Sequence, residues 1–225
     1  MEVLKPNEQR AKNAILLIWI VLALEILAIL SGYLLYDLIQ TAINGGEISE
    51  ESANSNDLRE QVIAILYLIA YVISVVTFIL WFRRAYFNLH LKVKHLSHPE
   101  GWAAGSWFVP FTNLYRPYKI MKELYQETKA LLVKKEIFFK GDLATSTLGW
   151  WWAFWLLNSF AGQIVFRYSL NAESLEELNT TTVLSIFSNI IGIPLALLAI
   201  KVIKDYANVE SLLHEVKDEP ETTNM

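Results

Sequence analysis

Long apolar runs alternate with charged connections along this chain. Four of the runs approach the roughly 20 residues that an α-helix needs to cross a hydrocarbon core about 30 Å thick. They cover residues 14–35, 62–82, 148–166 and 183–200. A bilayer admits only helices or closed barrels, and continuous apolar runs lack the alternation of a barrel strand. The pattern predicts an all-α integral membrane protein with four transmembrane helices in a single domain over residues 14–203.

The composition agrees with a membrane protein and removes several kinds of site. Hydrophobic residues make up 54% of the 225 residues and the mean hydropathy is +0.32, above the roughly half-apolar content of soluble domains. The chain contains no cysteine, which excludes disulfides, thiolate metal sites and cysteine nucleophiles. The net charge of −4 conceals a strong segregation of basic residues.

Basic residues lie almost entirely on one side of the predicted membrane. Seventeen of the 19 lysines and arginines precede the first run, separate the second from the third, or follow the fourth. Only Arg59 and Arg167 fall in the two other connections. By the positive-inside rule, the N-terminus (residues 1–13), the long central connection and the tail (residues 204–225) are cytoplasmic.

Two polar segments outside the runs predict irregular structure. Residues 37–61 carry Asn-Gly-Gly and Asn-Ser-Asn sequences, so this external connection is expected to be mobile or turn-rich. Residues 214–225 are polar and acidic, which is typical of a disordered tail.

One stretch of the central connection is too apolar for a soluble loop and too short for a span. It reads GWAAGSWFVPF from Gly101, and an apolar run of about ten residues is typical of a re-entrant or interfacial segment. A full crossing by residues 102–111 would place the following lysines outside, against the charge rule. From Pro117 onward the spacing predicts a basic amphipathic helix at the inner interface. We therefore expect an aromatic hairpin and a helix in an interfacial region over residues 99–140. The apolar face of that helix would consist of Met121, Leu124, Thr128 and Leu131.

Three motifs carry a resemblance to a known family. They are RRAYFNL at residues 83–89, GWAAGSWFVPFTNLYRPY at 101–118 and WWWAFWL at 150–156. Together they resemble the bacterial membrane family called domain of unknown function 4328, over about residues 62–203. The resemblance implies a polytopic protein of the bacterial inner membrane, and it brings no established activity or catalytic residue.

Four polar residues near the cytoplasmic edge are candidates for ligand binding. Arg84 and Asn88 share one face of a helix that extends the second run, while Asn113 and Arg116 flank the start of the amphipathic helix. Two guanidinium groups beside amide donors suit a phosphate or carboxylate, so these residues are candidates for one shared anion site. The alternative is that the arginines reach headgroups separately and Asn113 caps a helix.

An acidic residue lies near the middle of the first predicted span. A charged carboxylate at that depth costs a few kcal/mol, so Glu25 is expected to be protonated, paired or facing a wet cavity. A polar patch inside a four-helix bundle would bind a solute or relay a proton, or it would join helices by hydrogen bonds worth about 1 kcal/mol each. The side chains expected to face Glu25 are Asn158, Gln163, Ser188 and Asn189.

Two groups of residues resemble metal or cofactor sites but have simpler interpretations. Three histidines and Glu100 are zinc-ligand types, yet His90 lies off the face shared by His95 and His98, and no metal site is expected. A tryptophan cluster begins the third span, where an aromatic belt at the membrane surface belongs. Its members are Trp150, Trp151, Trp152 and Trp155.

The sequence contains no motif of a soluble enzyme. No Ser/His/Asp order, phosphate loop, HExxH motif or DNA-reading module is present, so we expect no catalysis, cofactor or nucleic-acid partner. The leading hypothesis is a scaffold or accessory subunit that binds anionic lipid headgroups or a membrane partner at its cytoplasmic face, as a homo-oligomer or beside another membrane protein. The alternative is a small-solute or proton-coupled transporter or channel that uses Glu25.

Overall fold

The computed structural model describes residues 3–141 and 143–216, and within these ranges it is helical without strands. This confirms the all-α class. Its helices are α1 (Glu8–Ile43), α2 (Glu50–His90), α3 (Trp102–Gly105), α4 (Arg116–Lys134), α5 (Thr145–Ser169) and α6 (Leu175–Glu210). Two short 3-10 turns cover Thr112–Leu114 and Ser211–His214. The predicted disordered tail falls almost wholly on residues 217–225, which lie outside the described ranges.

Three of the helices are long and apolar enough to cross a membrane. They are α1, α2 and α6. The 36 residues of α1 rise about 54 Å at 1.5 Å per residue, well beyond a hydrocarbon core of about 30 Å. The 25-residue α5 is outside this group. The described chain is therefore a membrane protein with three helices that meet the requirement for a span.

The prediction of a turn-rich connection at residues 37–61 is wrong. Helix α1 continues to Ile43 and α2 begins at Glu50, so only residues 44–49 separate them. Gly45 makes the turn with φ of 78°, a conformation that glycine adopts without steric cost. Acidic side chains at Glu50 and Glu51 favour a helix start because they complement its positive end. Most polar residues of this segment thus lie in the last turns of α1 and the first turns of α2.

The chain divides into two compact units. Unit 1 consists of Met1–Ile15, Val76–Gly149 and Lys201–Met225. It has a packed aromatic core in which Trp81, Phe82, Tyr86, Tyr125 and Tyr206 are fully buried. The extension of the second run into a longer helix is confirmed: α2 continues to His90, and Leu89 on this extension is fully buried.

Helix α4 buries its apolar face within unit 1. Tyr125 donates a hydrogen bond to the carbonyl of Val202 at 2.6 Å, and the hydroxyls of Thr128 and Tyr206 lie 3.2 Å apart. Met121, Leu124 and Thr128 are fully buried as expected, but the next buried position is Leu132 and not Leu131. Protein atoms therefore cover this face of α4.

Unit 2 consists of Leu16–Val75 and Trp150–Ile200 and has a different surface. Large apolar side chains are widely exposed on it; Leu30, Leu68 and Phe187, for example, are 59%, 61% and 61% exposed. Soluble proteins seldom expose contiguous apolar surface on this scale, whereas lipid-facing helices do.

The predicted tryptophan belt is only partly realised. Trp150 is 64% exposed, whereas Trp151 and Trp152 are buried at 3% and 7% exposure. The rings of Trp152 and Trp155 stack with centroids 4.5 Å apart. Two members of the cluster therefore serve as packing groups instead of membrane anchors, because their rings are covered by protein atoms.

Candidate functional site

The stretch after α3 presents aromatic rings to the surroundings. In the segment 108–115, which we call the aromatic wedge, Phe108 is 73% exposed and Phe111 is 82% exposed. Phe111 has a φ of 62°, which is rare for a bulky residue and carries a strain of about 1–3 kcal/mol. The side chain of Thr112 donates to the carbonyl of Val109 at 2.9 Å and closes the turn. The wedge is thus a folded turn that holds two phenyl rings out of the protein.

Cationic side chains accompany the wedge at the start of α4. The guanidinium of Arg116 lies 4.2 Å from the ring centre of Trp102, a cation–π contact, and Lys119 Nζ lies 5.2 Å from the ring of Tyr115. Pro117 occupies the first turn of α4, where its missing N–H costs no helical hydrogen bond. Exposed aromatic rings beside cations are suited to the headgroup region of a bilayer.

A titratable cluster lies behind the wedge. Glu123 on α4 accepts hydrogen bonds from the Tyr86 hydroxyl at 2.6 Å and from the Ser97 N–H at 2.7 Å. Burial raises the pKa of Glu123, but these hydrogen bonds and nearby His98 outweigh burial and hold its pKa below the ordinary value of 4.5. Glu123 is therefore an anion that fixes α4 to α2.

His98 contributes to the same cluster from the loop after α2. Its Nδ1 atom lies 4.0 Å from the Glu123 carboxylate and has no hydrogen-bond partner among the described residues. Burial lowers the pKa of His98 below 6.5; Glu123 opposes this effect, and Arg116 and Lys119 add to it. The neutral ring is consequently the favoured form in the folded protein.

Arg84 and Asn88 belong to a second polar cluster of unit 1. Asn88 exchanges two 2.9 Å hydrogen bonds with the backbone of Lys5 and donates to Glu210 at 2.8 Å. Asn7 donates to both oxygens of the same carboxylate at 2.9 and 3.1 Å, and Arg84 interacts with it electrostatically. Glu210 is 8% exposed, so amide donors surround a buried carboxylate. The cluster joins three chain segments: the N-terminus, α2 and α6.

The four predicted ligand-binding residues have different partners. Arg84 and Asn88 face Glu210, whereas Arg116 stacks on Trp102. Asn113 is half-buried, and its backbone N–H donates to the carbonyl of Val109 at 3.1 Å, inside the turn of the wedge. The sequence did not identify Asn7 or Glu210, because neither belongs to a motif and 203 positions separate them.

Unit 2 contains the buried acid predicted from the sequence. Glu25 is 4% exposed and accepts a 3.4 Å hydrogen bond from the hydroxyl of Tyr67 on α2. Its Oε2 atom has no hydrogen-bond partner among the described residues. The carboxylate packs against Gly192 on α6 so closely that an added Cβ would overlap it. The position of the Glu25 carboxylate is therefore defined by Tyr67 and Gly192, which are not among the partners expected from the sequence.

The polar residues expected to face Glu25 are distributed differently. Gln163 is exposed and donates to the carbonyl of Ser159 on its own helix at 3.3 Å. Asn158, Ser188 and Asn189 are half-buried.

Within the described residues no group of three metal-ligand side chains is close enough to hold a metal ion. His95 instead lies 3.0 Å from Glu127, and His90 Nε2 lies 2.9 Å from the carbonyl of His98.

Comparison with known proteins identifies the family. Neither the curated proteins nor the solved structures include a match to this chain. The family model described as Domain of unknown function (DUF4328) matches residues 44–208, which is well over half of the chain and contains all three motifs of the sequence resemblance. The chain belongs to the DUF4328 family of domains of unknown function.

Proposed function

We propose that this protein is a non-enzymatic scaffold of the bacterial inner membrane that binds anionic lipid headgroups at its cytoplasmic face. The observation that carries the proposal is the aromatic wedge, where Phe108 and Phe111 are exposed beside Arg116 and Lys119. Phenyl rings gain about 25 cal/mol per Å² when they leave water for the boundary of the acyl chains. Lysine and arginine at that surface gain about 1 kcal/mol each from anionic lipids.

The proposed topology places both termini and the connection between α2 and α5 in the cytoplasm. It is supported by the position of 17 of the 19 basic residues and makes α5 the fourth crossing. At 25 residues α5 is about 37 Å long, enough for a span, and its many tryptophans lower its hydropathy without excluding it from a bilayer. In this arrangement the wedge follows a cytoplasmic helix end and turns its rings to the inner leaflet.

The strain at Phe111 supports a function for the wedge. A positive φ at an aromatic residue persists only where the surrounding structure fixes it, and such residues concentrate at functional positions. Here the strained residue is also the most exposed aromatic of the turn. An accessory role beside a second copy or another membrane protein is compatible with this surface, because the wedge and its accompanying cations occupy only residues 108–119.

Retention of anionic lipid tests the proposal. The full chain, purified from the same membranes in the same detergent, is compared with an Arg116→Gln/Lys119→Gln variant by native mass spectrometry. We expect the variant to retain about one tenth or less of the anionic lipid, since two cations contribute about 1 kcal/mol each. The matched control is Lys122→Gln/Lys129→Gln, which removes the same charge from the same helix.

A second measurement keeps the test valid if the charge variant folds poorly. The chain has no cysteine, so a single nitroxide label at Phe111→Cys reports the depth of the wedge in phosphatidylglycerol vesicles. The label should be reached by oxygen and shielded from a water-soluble nickel complex, and a label at Gln126→Cys on the exposed side of α4 should show the reverse. Equal lipid retention in both charge variants, together with a water-exposed label at position 111, would contradict lipid binding by the wedge.

The alternative function, transport of a small solute or proton, has less support. It depends on Glu25, which accepts a hydrogen bond from Tyr67. A transport site requires polar groups of several helices around one cavity. Among the predicted partners, Gln163 is exposed and bonded to its own helix.

A further inference from the structure

Unit 1 contains a cavity that the aromatic wedge does not use. It has a volume of about 520 Å³, within the range of about 300–1,000 Å³ that small-molecule sites occupy. Its walls come from the N-terminal segment, the first two turns of α1, Asn88 of α2 and the end of α6 with the following turn. We propose that this cavity is a binding site for the phosphate ester of an anionic phospholipid headgroup, which deepens the proposed function by adding an enclosed site.

The charges at the cavity favour an anion. Three lysines line it, and Lys5, Lys12 and Lys204 come from three different segments and are all exposed. The exposed acid on the same wall is Glu8, which pairs with Lys12 at 2.6 Å. The other acid, Glu210, is buried, and both of its oxygens accept amide hydrogen bonds. The accessible charge of the described lining is therefore positive.

The polar cluster beneath the cavity fixes the position of one of these lysines. Asn88 forms two hydrogen bonds with the backbone of Lys5. Asn7, two residues further on, donates a hydrogen bond to the carboxylate of Glu210. The ammonium group of Lys5 lies 4.0 Å from the ring centre of Phe87. Ordering a lysine before the ligand arrives lowers the entropy lost on binding. The buried network thus gives the N-terminal segment a defined place beside the cavity.

Two further features fit the hydroxyl and glycerol parts of a headgroup. The exposed side chains of Asn208 and Ser211 line the cavity and offer hydrogen-bonding groups to a ligand hydroxyl. Leu4, Ala11, Ile15 and Ala207 provide apolar wall on the same cavity. Basic pockets beside transmembrane helices with this combination of surfaces bind phospholipid headgroups. The shared chemistry is a phosphate ester, which a soluble phosphate compound also carries.

Titration of the delipidated full chain in detergent separates these sources. The probes are dihexanoyl phosphatidylglycerol, glycerol 3-phosphate and inorganic phosphate, and heat of binding is the measurement. We expect Lys12→Gln/Lys204→Gln to weaken binding about thirtyfold, which corresponds to about 1 kcal/mol for each cation. The control Lys129→Gln/Lys201→Gln removes the same charge from exposed positions outside the cavity and should bind like the wild type.

A steric variant distinguishes an enclosed site from general attraction to a basic surface. Ala207→Phe fills the cavity without changing charge and should abolish binding, whereas Phe138→Ser, at an exposed ring outside both the cavity and the wedge, should leave it unchanged. Binding of the lipid alone identifies a site for a lipid headgroup. Equal binding of glycerol 3-phosphate identifies a site for a soluble phosphate ester. Both outcomes support the cavity as a phosphate-ester site. Unchanged binding in Ala207→Phe, or no binding of any probe, would overturn it. If the wedge test fails but Ala207→Phe still abolishes binding, the wedge proposal is wrong and the cavity proposal stands.

Discussion

The two units of this chain differ most in what surrounds their side chains. In unit 1 the aromatic rings of the core are fully buried, and polar groups form hydrogen-bonded clusters around Glu123 and Glu210. In unit 2 large apolar side chains are exposed along the helices, and the buried carboxylate of Glu25 has one long hydrogen bond. A core of the first kind is what the hydrophobic effect produces in water. Surface of the second kind is stable in lipid, where exposure of leucine costs nothing.

The two parts of helix α2 show the same difference in side-chain exposure. Residues of α2 belong to both units, and the same residue type has opposite exposure in each: Leu89 is 0% exposed and Leu68 is 61% exposed. Helix propensity is equal at the two positions, so the difference lies in what packs against each side chain. Packing energy should therefore be concentrated in unit 1.

The largest expected effect comes from shortening a leucine in each unit. Leu89→Ala should lower the free energy of unfolding by about 2–5 kcal/mol, because it opens a cavity in a fully packed core. Leu68→Ala on the same helix should change it by less than about 0.5 kcal/mol. Thermal unfolding of both variants in the same detergent measures the contrast. Comparable losses at the two positions would show that unit 2 has a protein core of its own.

A smaller effect is expected at the close contact between Glu25 and Gly192. Gly192→Ala should destabilise the protein by about 1–3 kcal/mol, because the new methyl group overlaps the carboxylate. Gly162→Ala on α5 is the matched control: its Cβ meets no atom within 4 Å, so the higher helix propensity of alanine should prevail.

The double variant tests whether the carboxylate is the cause. In Glu25→Ala/Gly192→Ala the methyl group has room, so the two substitutions should be strongly non-additive. Thermal unfolding of the two single variants and the double variant gives the coupling. A Gly192→Ala variant as stable as Gly162→Ala would mean that Glu25 does not occupy this position.

The sequence predicted the helices and most of the buried faces but not the polar clusters. Apolar runs indicate α1, α2 and α6 because a bilayer demands long uninterrupted helices. The apolar spacing after Pro117 predicted α4 and three of its buried positions. Hydrophobic periodicity indicates which face of a helix is covered, but it does not indicate whether protein or membrane covers that face. Protein covers the apolar face of α4, where the sequence analysis expected the inner membrane surface.

The missed residues share a physical reason. Asn7 and Glu210 lie at helix ends, where polar residues are common as caps or solvated groups, and their pairing depends on the tertiary path of the chain. Tyr67 lies on the apolar helix α2, where its hydroxyl gives no local signal of a bond to Glu25. By contrast, the exposed rings of Phe108 and Phe111 were detectable, since an apolar run interrupted by proline cannot form a long buried helix.

The smallest expected effect is a pH dependence confined to unit 1. Burial depresses the pKa of His98 below 6.5, so its contribution to stability is present above that value and is lost as the pH falls toward the folded pKa. The pKa of Glu123 is also depressed, and its contribution is lost only below about 4.5. Acidification from about pH 7 to 5.5 should therefore remove the stabilising contribution of His98, while Glu210, whose pKa burial raises to about 7, takes up a proton and opposes this loss over the same interval.

His98→Gln should remove the contribution of His98 to the upper part of the profile, because glutamine does not titrate, while the contributions of Glu210 and Glu123 remain. Glu123→Gln should weaken the profile below pH 4.5 and also cost stability at neutral pH, since Tyr86 and Ser97 then donate to an uncharged group. The control is His214→Gln, at an exposed histidine outside the cluster, which should keep the wild-type profile. Hydrogen exchange of the amides between residues 97 and 123 locates the change, and the assignment to His98 is wrong if His98→Gln and His214→Gln give the same profile.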